Sequence, residues 1–98
     1  MLTRKQIHYL RAKAHTLKPV FQIGKAGLHE PVFSELDAVL ESRELIKITL
    51  LQNTDEDPHQ AGARIAEETH AELVQVIGRT LIFYRRSQET MKIELPRG

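Results

Sequence analysis

Gly24-Lys25-Ala26-Gly27 follows directly on an apolar run, Val20 to Ile23, and precedes a stretch that opens with Pro31. A strand running through Gly-x-x-Gly into a helix has the layout of several anion-binding turns. Glycines tolerate positive φ and carry no β-carbon to obstruct an approaching sugar-phosphate chain, while a helix start offers unpaired N–H groups and a positive dipole end. Lys25 at the tip adds a mobile cation. No Gly-x-x-x-x-Gly-Lys-Ser/Thr is present, and the third glycine of a dinucleotide fingerprint is missing. By spacing alone, an ordinary tight turn would look the same.

A second constellation lies upstream. At about 100° per residue, Arg4, His8, Arg11 and His15 fall on one narrow helical stripe. It runs beside the apolar positions Ile7, Leu10, Ala14 and Leu17, so its cations should border the sheet edge, although a merely solvated face has the same pattern. The whole chain is partitioned in the same sense. Six basic residues and no acid occupy positions 1–29, eleven acids face three bases over 30–72, and five bases face two acids over 73–98. A net charge of +1 therefore hides a molecule able to present one strongly positive face. The few aromatics, Tyr9, Phe21, Phe33, Phe83 and Tyr84, leave little for base stacking, which points to phosphate and shape recognition.

Catalytic chemistry is poorly provided for. The five histidines have no metal-ligand spacing and no serine partner in a nucleophile motif, and the absence of cysteine removes thiolate chemistry. Asp55-Glu56-Asp57 could hold Mg²⁺, yet in front of Pro58 it is better explained as helix capping. We expect no enzyme and no cofactor. The opening residues lack the apolar core of a signal peptide, and no stretch reaches the length of a membrane span, so a cytoplasmic monomer is the expectation.

These residues must be positioned by a chain of 98 residues, enough for one core, and its 41% hydrophobic content argues against disorder. Thr3-Arg4-Lys5-Gln6 fits a capping box, and Lys18-Pro19 should end the helix it opens. Val20 to Ile23 predicts a strand and Pro31 to Glu41 a helix with Val32, Phe33, Leu36, Val39 and Leu40 inward. Glu35, Asp37 and Glu41 then form a solvated outer face. Leu45 to Leu51 predicts a strand, and Asp57-Pro58 starts a third helix with small residues inward. Leu73 to Ile77 and Thr80 to Tyr84 predict a hairpin about a type II′ Gly78-Arg79 turn, and Met91 to Leu95 a short edge strand.

The resulting fold class is α/β: a single domain over 1–98, with a core 2–86 and a tail 87–98, and a four-stranded mixed sheet with three helices in the order αβαβαββ. If the first three strands run the same way, their carboxyl ends share one edge. That edge should gather the Gly24 to Gly27 turn, the Gln52 to Glu56 loop, Arg79 and, from a returning first helix, Arg4 and Lys5.

Thr3-Arg4-Lys5-Gln6, Tyr9-Leu10-Arg11, the block from Leu17 to Leu28, Val76-Ile77-Gly78-Arg79 and Phe83-Tyr84-Arg85 together resemble the CRM domain (chloroplast RNA splicing and ribosome maturation). More closely, the chain resembles the bacterial stand-alone YhbY-type RNA-binding proteins, over positions 2 to 86. The resemblance implies a fold like the C-terminal domain of translation initiation factor three. It also implies association with precursors of the large ribosomal subunit, and binding of ribosomal RNA through Gly24, Lys25, Ala26, Gly27 and a basic surface that includes Arg4, Lys5, Arg11 and Lys18. His29 stands where relatives often have a capping hydroxyl or Asn. A rival expectation is an adaptor that docks a ribosomal protein or an assembly GTPase through Glu35, Asp37 and Glu41.

Overall fold

A computed structural model describes residues 2–98. Seven elements follow one another: α1 (Arg4–Ala14), β1 (Phe21–Ile23), α2 (Glu30–Arg43), β2 (Leu45–Leu50), α3 (Pro58–Thr69), β3 (Glu72–Ile77) and β4 (Thr80–Tyr84). The order and the four-stranded mixed sheet are those expected from the sequence.

Local chemistry accounts for most boundaries. Thr3 and Gln6 close a reciprocal capping box, with the Gln6 amide donating to Thr3 Oγ1 at 3.1 Å and the Thr3 amide to Gln6 Oε1 at 3.0 Å. The helix stops sooner than Pro19 requires. Its last turn tightens as His15 N–H donates to Ala12 O at 3.2 Å, which releases Leu17 to pack against the core. Asp57 caps α3 by accepting from the Gln60 amide at 3.0 Å. Gly78 has φ +58° and Arg79 stays outside the positive region, as a type II′ turn requires.

The strand order is β1-β2-β4-β3, with β1 parallel to β2 and β4 antiparallel to both its neighbours. β1, β2 and β3 therefore point the same way, but β4 lies between β2 and β3. Burial explains the insertion. Leu81, Ile82, Phe83 and Tyr84 are all buried and need cover on both sides, whereas β3 exposes Glu72 and Ile77 and suits an edge.

Each face of the sheet has its own core. Ile46, Ile48, Leu50, Leu81 and Phe83 meet α2 and α3 through Phe33, Leu36, Leu40 and Ile65. On the other face Leu45, Val74, Ile82 and Tyr84 meet Leu10 and Ala14 of α1, together with Ile93 and Leu95 of the tail. α3 approaches closely because Gly62 has no side chain; a β-carbon there would lie 2.9 Å from Leu73 Cδ2.

The segment after β4 is not a strand. It is held instead by two carboxylates from the end of α2. Glu44, fully buried at φ +68°, accepts from the amides of Ser87, Lys92 and Ile93, each at 2.7 Å. Glu41 accepts from Ser87 Oγ at 2.7 Å and from the Gln88 amide at 3.0 Å. The Lys92 and Ile93 amides, which a strand would pair with a neighbouring backbone, donate instead to the Glu44 carboxylate.

Candidate nucleic-acid interface

The carboxyl ends of β1 and β2 deliver the glycine turn and the following loop to one edge, as the topology predicts. Leu51 N–H donates to Ile23 O at 2.8 Å, which fixes β1 against β2 where both strands end. The turn closes with Gly27 N–H donating to Gly24 O at 3.0 Å, and Lys25 and Ala26 project at its exposed tip. Gly27 has φ +70°, a conformation that favours glycine. Among the described residues the Lys25 and Ala26 amides find no protein acceptor.

The turn is less bare than its sequence implies. Glu56 Oε2 accepts from the Leu28 amide at 3.2 Å, and it would lie 2.9 Å from a β-carbon on Gly27. A carboxylate thus occupies part of the space foreseen for phosphate, and His29 gives α2 no side-chain cap. The spacing of Asp55-Glu56-Asp57 suggested helix capping; only Asp57 does that, while Glu56 turns back to the glycines.

Arg79 also reaches this edge, but as a clamp. Its Nε donates to Leu50 O at 3.1 Å, and its Nη2 donates to Leu51 O at 2.8 Å and Thr54 O at 3.4 Å. Five guanidinium N–H groups in a rigid fork suit such a cluster of carbonyls. Lys25 is left as the exposed cation of the turn, which Glu56 approaches from the following loop.

Arg4 and Lys5 do not join it, contrary to the sequence-based expectation. Their neighbour Gln6 donates through Nε2 to Pro96 O at 3.0 Å. It also lines a groove of about 490 Å³ with Tyr84, Arg86 and residues 91–95 of the tail. Tyr84 pairs with Leu45 and Glu72, the first residues of β2 and β3, so the opening of α1 is tied to the amino edge of the sheet. The physical reason is the tail: held by Glu44 at that edge, it provides the apolar and polar partners to which α1 docks. Arg11 donates through Nε to Val74 O of β3 at 3.1 Å. Lys18 is exposed on the α1 to β1 connection, lining a second groove that also belongs to the amino edge.

The acidic face of α2 is likewise committed in part. Arg85 pairs with Asp37 at 2.5 Å and with Glu41 at 3.7 Å, and donates to Thr69 O at 2.9 Å. The face is solvated as expected at Glu35 and Asp37, both exposed, while Glu41 is half-buried under the tail; what the sequence did not announce is the pairing with Arg85. The signal was present in Phe83-Tyr84-Arg85, where a cation ends a buried strand.

The CRS1/YhbY (CRM) domain profile matches residues 2–85. The chain belongs to that family. It is 44% identical over 96 residues to the Bacillus subtilis protein YqeI, whose name describes it as a probable RNA-binding protein, covering 98% of this chain and all of the relative. A Haemophilus influenzae protein named as RNA-binding is 41% identical over 96 residues, covering 98% of this chain and 96% of the other. The solution structure of Staphylococcus aureus hypothetical protein SAV1595 superposes with a TM-score of 0.81 at 49% identity, covering 98% of this chain and 100% of that one. CRM membership places the chain in a non-enzymatic family, in agreement with its sequence. No helix among the described residues is long and apolar enough to cross a membrane.

Proposed function

We propose that this protein binds RNA, and that in the cytoplasm it associates as a monomer with precursors of the large ribosomal subunit, steadying folded rRNA during assembly without catalysing a reaction. The observation that carries this reading is the exposed Lys25-Ala26 tip, with its two unpartnered amides, in a chain whose family and named relatives are RNA-binding. In this role Gly24, Lys25, Ala26 and Gly27 meet one stretch of phosphates, while Arg4, Lys5, Arg11 and Lys18 meet RNA elsewhere on the same molecule. Arg79 contributes by holding the Gln52 to Glu56 loop in place.

Affinity for a structured rRNA fragment, measured across a salt series, tests the reading. Neutralising about five phosphates gives a log-log slope of roughly −3.5 to −4.5. A flat response would overturn it. Lys25→Ala should weaken binding severalfold while Glu35→Ala, on an exposed helix face, should not; equal loss in both removes the turn's special role. Sedimentation with precursor particles separates ribosomal association from general RNA affinity.

A further inference from the structure

The α1 to β1 connection, the last turn of α2, the start of β2 and the tail enclose a groove of about 370 Å³. Its charged lining is wholly cationic: Lys18, Arg43, Lys47 and Lys92. These four come from distant parts of the chain and meet only in the fold. None of them makes an ion pair among the described residues, where the salt bridges are those of Arg85 with Asp37 and Glu41. Glu44 adjoins Arg43 in sequence, but its carboxylate is buried and turned to the amides of Ser87, Lys92 and Ile93. A cleft lined by one sign of charge focuses its field and draws counter-ions.

We infer that this groove binds the sugar-phosphate backbone of single-stranded RNA. The inference rests on the RNA-binding reading and deepens it: Lys18, one of the cations given to RNA there, joins Arg43, Lys47 and Lys92 in a single groove at the amino edge of the sheet, away from the glycine turn. Four cations without ion-pair partners among the described residues suit a row of phosphates. Leu17, Pro19 and Val20 line the same groove, and Val20 is 37% exposed, so apolar surface is available to ribose and base faces that a duplex keeps stacked. No aromatic ring lines it, so recognition should depend little on sequence. Lys92 arrives on the tail, whose backbone amides are fixed by Glu44; the tail thereby completes the site.

The test is the Kd of the full chain for a mixed-sequence single-stranded RNA of about 12 nucleotides, over a salt series, for the wild type, Lys25→Ala and the triple variant Lys18→Ala/Arg43→Ala/Lys92→Ala. Losing three phosphate contacts at about 0.7 per contact should flatten the log-log slope by about 2 and raise Kd about fiftyfold near 0.15 M salt. A triple variant within twofold of wild type at an unchanged slope overturns the groove. The same loss on a blunt duplex overturns its assignment to single strands. Should the triple variant fail to fold by circular dichroism, Lys92→Ala alone, which leaves the backbone contacts to Glu44 intact, should raise Kd about fourfold, and no change overturns the inference. If the wild type binds neither this RNA nor a structured rRNA fragment, the RNA-binding reading itself falls, a result distinct from wild-type binding that the triple variant preserves.

Discussion

The buried carboxylate of Glu44 accepts the backbone amide of Ser87 at 2.7 Å across a sequence separation of 43. Burial disfavours its ionised form, but the amides of Ser87, Lys92 and Ile93, with the nearby charge of Arg86, outweigh burial and hold its pKa below the ordinary value of 4.5. Glu41 is lowered too, first by the Ser87 hydroxyl and then by the Gln88 amide.

Carboxylates with lowered folded-state pKa values contribute stability that is complete above their unfolded value of 4.5 and is lost as pH falls through the folded one. Unfolding free energy of the wild type should therefore drop more steeply between about pH 5 and 3 than that of Glu44→Gln. Denaturant titrations at several pH values measure this. At neutral pH Glu44→Ala should cost about 2–3 kcal/mol, because it strands the buried Ser87 amide and the part-buried amides of Lys92 and Ile93.

Gly62→Ala should destabilise although alanine favours helices. The new β-carbon would stand 2.9 Å from Leu73 Cδ2, and such overpacking costs about 1–3 kcal/mol. Combining it with Leu73→Val should recover part of the loss. Thermal denaturation of the single and double variants reads both effects.

Glu56→Ala separates the two uses of the glycine turn. It removes the acceptor of the Leu28 amide and should cost about 1 kcal/mol of stability. It also opens the turn and deletes a negative charge, so RNA affinity should rise roughly two- to fivefold, the effect of about 0.5–1 kcal/mol. Affinity that falls in a folded variant would mean that the carboxylate shapes the RNA-binding turn instead of competing for it.

Arg79→Lys keeps the charge and loses the fork. If the residue acts as a clamp on Leu50, Leu51 and Thr54, stability should fall by about 1–2 kcal/mol. Chemical denaturation gives the cost, and amide exchange over Leu51 to Glu56 should quicken.

What sequence made legible was local. The Thr3 to Gln6 capping box, the Asp57 cap and the Gly78 turn each depend on residues two or three apart, where side-chain reach and φ preference decide the outcome. The glycine turn at the carboxyl edge followed from strand direction alone. What escaped was chemistry between distant segments. Spacing could not announce that Glu44 would hold the tail, that Glu56 would fold back on Gly27, or that Lys18 and Lys92 would share a groove. Nor did alternation reveal that the hairpin would place β4 in the middle, although four consecutive buried side chains, Leu81 to Tyr84, were its physical cause.

That central position has a bearing on biosynthesis. β3 pairs with β4 alone, and β2 gains its second neighbour only from β4, so a nascent chain that has not yet exposed Thr80–Tyr84 carries unsatisfied edges on both strands. The four-stranded sheet is complete only once those five residues have left the ribosome, and the tail that seals α1 follows them in the chain. Premature termination anywhere before β4 therefore leaves a sticky fragment instead of a smaller working domain.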